Sequence, residues 1–154
     1  MITFDPMAKA RDDIIALARA LNIPGTAPGA VVDATPHIRR LAEGLYGQRY
    51  VIANLIDSPG IRAVANALGS GQSTGIGGIM LFPPASAEQM IINLARMLKM
   101  PGVDGGLIDA KPHMRNLVAE LYRRGKVLAY VGQGQLAEQV LQRLATGNSA
   151  SVDR

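Results

Sequence analysis

Asp109, Ala110, Lys111, Pro112, His113, Met114, Arg115 stands 76 positions after a near copy of itself, Asp33, Ala34, Thr35, Pro36, His37, Ile38, Arg39. The echo reaches outward on both sides, from residues 17–46 in the first copy to 94–122 in the second, which is one residue shorter. Of the 27 positions that pair without ambiguity (17–25 and 29–46), 15 are identical. Unrelated segments of average composition would share about two. The sequence therefore reads as an internal duplication.

A chain of 154 residues fits one domain, and a half of that length has too little core to be comfortable alone. The repeats, about 5–68 and 85–146, are expected to pack on each other as a single domain. Between them lies a Gly/Pro-rich, uncharged segment, 69–84, and residues 147–154 read as a flexible polar tail. Hydrophobic residues make up 48% and charged ones 18%, the signature of a globular chain with much apolar surface to hide. Four Tyr, two Phe and no Trp leave Ala, Leu, Ile, Val and seven Met to fill the core. Met suits irregular gaps and adaptable interfaces.

The absence of cysteine excludes disulfides and thiolate chemistry. No basic stretch followed by an apolar run opens the chain, so no secretory signal is expected. The longest uncharged run, 63–87, is broken by Gly69, Ser70, Gly71, Gln72, Ser73 and Thr74, so no transmembrane segment is expected. Cytoplasmic or virion-associated localisation follows as the expectation. The net charge of +4 admits acidic partners, but the basic residues are dispersed and aromatic platforms are lacking. A basic nucleic-acid-binding module is therefore the second alternative.

Helical periodicity predicts a helix over 5–22, capped by Asp5 with Pro6 in its first turn and stopped by Pro24 and Gly25. Val31 and Val32 suggest a short strand, and Asp33 or Thr35 caps the next helix, which Gly47 ends. Residues 50–56 are apolar on both faces and short, which favours a buried strand; 59–68 reads as a helix. Residues 79–82 read as a strand that Pro83 and Pro84 terminate, and Ser86 with Gln89 fits a capping box for a fourth helix. The second copy repeats the pattern, with Leu107 and Ile108 as its short strand, 126–131 as its buried strand and 135–145 as its last helix. The expected fold is thus helix-rich α/β, two α-β-α-β-α halves related by a pseudo-two-fold axis. Strands alternating with helices imply parallel crossovers. The alternative is an all-α fold, which the glycines flanking 50–56 and 126–131 oppose.

His37 and His113 are the only histidines, each four residues after an Asp. Asp33 with His37 and Asp109 with His113 would each share a helix face, and the four could converge on a divalent metal or a ligand between the repeats. The plainer reading is a shared helix start, with no cofactor. Arg19, Arg39, Arg96 and Arg115 also recur and are candidates for contact with an anion. Lys126–Val131 followed by Gly132, Gln133, Gly134, Gln135, Leu136 and Ala137 matches the phosphate-cradling G-x-G-x-x-A turn. No further strand or ribose-binding acid follows it, so a strand-to-helix turn is the simpler account.

No constellation in the sequence compels a reaction. The apolar tip of the linking segment, with Ile76, Ile79, Met80, Leu81 and Phe82, either closes the core, meets another subunit or dips into a lipid interface. Scarce charge, surplus apolar surface and the lack of a catalytic set lead to an expected function: a non-enzymatic structural protein that self-associates into a homo-oligomer, a component of a virion or another large assembly. The first alternative is a small-ligand- or metal-binding α/β domain, or an enzyme, with its site between the repeats.

Overall fold

The computed structural model describes residues 1–26, 34–103 and 109–153. In chain order these form β1 (Ile2–Phe4), α1 (Met7–Ala20), α2 (Thr35–Gly47), β2 (Tyr50–Leu55), α3 (Pro59–Gly69), β3 (Thr74–Ile76), β4 (Ile79–Leu81), α4 (Pro84–Met97), α5 (Lys111–Arg123), β5 (Lys126–Val131), α6 (Gln135–Ala145) and β6 (Ala150–Val152). The mixed, helix-rich α/β architecture is as the sequence leads one to expect. The strands make one sheet in the order β3-β4-β5-β2-β1-β6, and every pair is antiparallel.

That corrects the expectation of parallel crossovers. Two successive helices, α1 with α2 and α4 with α5, connect the paired strands β1 to β2 and β4 to β5, and each pair runs antiparallel. The single helices α3 and α6 lead to strands that are not neighbours in the sheet, so no parallel crossover pair forms among the described residues. The short strands expected at Val31, Val32 and at Leu107, Ile108 lie outside the described residues.

The sheet separates two cores. On one face Ile2, Phe4, Val51, Ala53, Ile79, Leu81, Val127, Ala129 and Val131 pack against α3 and α6 through Ile61, Val64, Leu68, Val140 and Leu144. On the other face Ile52 and Leu128 meet α1, α2, α4 and α5. Strand side chains alternate between faces, so a central strand covered on both must be apolar throughout. Val51 and Ile52 satisfy this in β2, as Val127 and Leu128 do in β5.

Several boundaries fall elsewhere than the sequence suggests. α1 ends at Ala20, before Pro24 and Gly25, because Asn22 takes a left-handed conformation (φ 55°). Asn22 N–H and Ile23 N–H then donate to the carbonyls of Arg19 and Ala18, satisfying the last turn. α4 ends the same way, with Lys99 at φ 54° and Met100 N–H donating to Ala95. Neither Asp5 nor Ser86 caps a helix: Pro6 and Pro83 hold the cap positions, without side-chain cap bonds. Thr35 is the first residue of α2 and not its cap, which is Ala34.

Two more elements escape periodicity because each is only three residues long. β1 and β3 pair with β2 and β4 through the backbone, which carries no sequence signature. The polar tail also contains a strand, since Ala150 and Val152 bury their side chains and β6 pairs with β1.

Candidate functional site

Opposite the α3 and α6 layer, two rows of side chains cross the sheet. In the first, Gly75 faces Met80, Met80 faces Tyr130, and Tyr130 faces Tyr50, with Phe82 beside Tyr50. The Tyr50 and Tyr130 rings lie 5.2 Å apart, and the Tyr50 and Phe82 rings 6.3 Å apart. These separations are those of stacked or edge-on aromatic pairs. Met80 is 39% exposed and Tyr130 37%. The row is an apolar surface without a charged member.

The second row joins Ser151 to Thr3, Thr3 to Asn54 and Asn54 to Lys126. Each of its members stands 76 or 77 positions from a member of the first row. Its chemistry is the opposite. Thr3 Oγ1 and Ser151 Oγ are 3.4 Å apart, Asn54 Nδ2 donates to the Thr3 carbonyl (3.2 Å), and Lys126 Nζ donates to Asn54 Oδ1 (2.7 Å).

Lys126 also ties this row to a charge cluster. Its Nζ lies 3.8 Å from Asp5 Oδ2 and 3.7 Å from Asp13 Oδ2, while Lys9 Nζ lies 2.6 Å from Asp13 and 3.9 Å from Asp5. The hydrogen bond to Asp13 holds the Lys9 ammonium above its ordinary pKa. Asp5 is only 2% exposed, and its Oδ2 accepts no hydrogen bond. Two ammonium groups thus stand within 4 Å of a buried carboxylate oxygen, the kind of partner such burial calls for.

Beside the cluster a cleft of about 260 Å³ opens between α1, the end of α5 and the start of β5, lined by Asp13, Ala16, Leu17, Ala20, Leu121, Arg124 and Lys126. Its floor is apolar and its rim is ionic. The positions 76 or 77 residues away hold Met90, Asn93, Met97, Gln48 and Tyr50 where the cleft has Asp13, Ala16, Ala20, Arg124 and Lys126. The two alanines are smaller than Asn93 and Met97 at the corresponding positions.

Of the residues singled out from sequence, Asp33 lies outside the described residues. His37 and His113 occupy the first turns of α2 and α5, both half-buried, and His37 Nδ1 is buried without a hydrogen bond. Asp109 Oδ1 accepts the Lys111 N–H (3.0 Å), so this carboxylate serves the start of α5 from one residue before the cap. Among the described residues no three of His, Asp and Glu gather as a metal ion would require. Arg19 Nε donates to the Thr26 carbonyl (2.9 Å), and Arg39, Arg96 and Arg115 are exposed on α2, α4 and α5. Among the oligomer-contact candidates, Ile79 and Leu81 are core residues at 1% exposure, Ile76 and Phe82 are half-buried, and only Met80 is open to solvent.

The glycine pattern before α6 has a packing explanation. Ile76 and Ile79 pair across a two-residue turn with Gly77 at φ 55° and Gly78 at φ 87°, the left-handed pair that a tight hairpin demands. This turn presses on the start of α6. Gly132 N–H donates to the Gly78 carbonyl (2.8 Å), and a Cβ on Gly78 would lie 2.0 Å from the Gln133 carbonyl oxygen. A hairpin thus occupies the place where a phosphate would sit.

No family model, curated protein or solved structure matches this chain. Tyr50, Tyr130, Asp5, Asp13, Arg124 and Lys126 escape a search for catalytic motifs because none belongs to one. Their signal in the sequence is the contrast with the residues 76 or 77 positions away, which are of different chemistry. Among the described residues no helix is long and apolar enough to cross a membrane.

Proposed function

We propose that the chain is a non-enzymatic structural protein, two related halves about a pseudo-two-fold axis, that associates with copies of itself through the Met80, Tyr130, Tyr50 and Phe82 surface. The relation between halves is supported by the strand order, which maps onto itself when β1, β2 and β3 exchange with β4, β5 and β6. It is supported again by matched left-handed residues: Asn22 with Lys99, Gly25 with Gly102, Arg49 with Gly125, and Gly71 with Gly147.

The observation that carries the self-association reading is the contrast between the two rows. Where the sheet presents Thr3, Asn54 and Lys126, polar groups hydrogen-bond to one another. At the corresponding places Met80, Tyr130 and Tyr50 leave aromatic rings and a thioether partly exposed. Tyr and Met are enriched at the centres of protein interfaces. An uncharged patch has no sign with which to select a charged partner, and it is complementary to itself across a two-fold axis. A second copy of the chain is therefore its occupant.

Absolute mass by light scattering after gel filtration tests this. The wild-type chain is expected to run as a dimer or larger closed oligomer, and Met80→Lys with Tyr130→Lys to run as a monomer with an unchanged circular dichroism spectrum. A monomeric wild type across the micromolar range would refute the proposal.

A further inference from the structure

We infer that the cleft between α1, α5 and β5 is a binding site for a small organic monoanion with a short apolar body. Three features combine there. The floor is made of Ala16, Leu17, Ala20 and Leu121, and the volume is about 260 Å³. That is some nine times the ~30 Å³ share of one liquid water, enough for a molecule of about eight non-hydrogen atoms.

The charge around the cleft comes next. Asp5, Asp13 and Glu120 face Lys9, Lys126, Arg123 and Arg124, with Glu120 shared between the two arginines at 2.8 and 3.1 Å. Three carboxylates against four cations leave one positive charge to be met. Asp13, the one carboxylate on the rim, is engaged by Lys9 at 2.6 Å and by Lys126 at 3.7 Å, which limits its repulsion of an incoming anion. Lys126 is held from three sides, by Asn54, Asp5 and Asp13, and its ammonium is thereby fixed at the cleft wall. A monoanionic head placed between Lys126 and Arg124 would neutralise the excess, and a chain of four or five methylenes would cover the alanine floor.

The third feature is asymmetry. The same framework in the other half carries Asn93 and Met97 in place of the alanines, and Gln48 and Tyr50 in place of the cations. There the side chains are larger and uncharged, whereas here they are small and charged.

Hexanoate is a suitable probe, with hexanamide as its uncharged counterpart and hexylammonium as a cation of similar bulk. Titration of the ¹⁵N-labelled full chain should give saturable amide shifts confined to the neighbourhood of Leu17, Ala20, Leu121 and Lys126 with hexanoate alone. Ala20→Met, which fills the floor, and Arg124→Gln, which removes a largely exposed cation, should each weaken binding at least tenfold. The inference is overturned if hexanoate gives no saturable shifts at tens of millimolar, if hexanamide binds as well, or if Arg124→Gln leaves the affinity unchanged. Arg124→Gln changes a surface side chain, so it reports on the site even where Ala20→Met fails to fold.

Discussion

Tyr46 donates its phenolic hydrogen to the backbone carbonyl of Asp5 at 2.7 Å, and the same oxygen accepts the N–H of Ile52 at 3.2 Å. It thereby fastens α2 to the junction of β1 and β2. Tyr122 repeats the arrangement between the carbonyl of Phe82 and the N–H of Leu128. Burial pushes both phenols well above the ordinary tyrosine range.

The sign of the pH effect follows. A phenol whose pKa is higher in the folded than in the unfolded state contributes stability that is whole below the unfolded pKa of about 10 and is lost above it. Stability should fall as pH rises past about 10, at up to ~1.4 kcal/mol per pH unit for each of the two tyrosines. Urea denaturation at pH 8, 10 and 11 measures this. Tyr46→Phe with Tyr122→Phe should flatten the alkaline limb, at a cost of roughly 1 to 3 kcal/mol per site at neutral pH for the unsatisfied backbone groups.

Removing Lys126 should cost far more than losing an exposed ion pair. Lys126→Met leaves the Asp5 carboxylate, 2% exposed, with Lys9 as its remaining cation. Breaking a buried pair in this way costs about 3 kcal/mol. Adding Asp5→Asn should recover part of the loss, since the buried charge goes as well. A double-mutant cycle in chemical denaturation reads the coupling, and strict additivity would show that the two groups do not interact.

Gly78→Ala should be among the most damaging single substitutions in the chain. It combines a left-handed φ of 87° with a Cβ only 2.0 Å from the Gln133 carbonyl oxygen, so the β3–β4 hairpin must part from the start of α6. A loss of at least about 2 to 3 kcal/mol is expected. Gly71→Ala is the control: its φ is 86°, but nothing lies within 4 Å of the added carbon, so only the left-handed penalty of ~1 to 2 kcal/mol applies. Thermal unfolding of the two variants side by side separates clash from conformation.

Lys99→Gly should stabilise. Lys99 holds φ 54° at the end of α4, the same position that Asn22 takes after α1. Glycine removes the left-handed penalty and returns some entropy to the unfolded chain, for a net gain of about 0.5 kcal/mol. A melting temperature at or below that of the parent would show that the Lys99 side chain contributes more than its backbone costs.

The sequence by itself determined the helices with an apolar stripe and the two strands buried on both faces. Residues 50–55 and 126–131 had to be covered above and below because Val51 with Ile52, and Val127 with Leu128, send apolar groups both ways. It also shows 15 identities among the 27 paired positions of residues 17–46 and 94–122, which need no geometry. The three-residue strands β1, β3 and β6 were beyond it: so short a stretch fits no period, and Ile2–Phe4 becomes a strand only because β2 and β6 flank it. Strand direction was likewise decided by tertiary packing, because α3 and α6 lead to the strands at the two sheet edges and not to a parallel neighbour. The candidate sites followed the same rule. The histidines repeat within the sequence itself, whereas Asp5 and Lys126, 121 positions apart, meet only once β5 has paired with β2 and β2 with β1. Pairing across the sheet, which no single stretch encodes, is what set charge on one row and aromatic surface on the other.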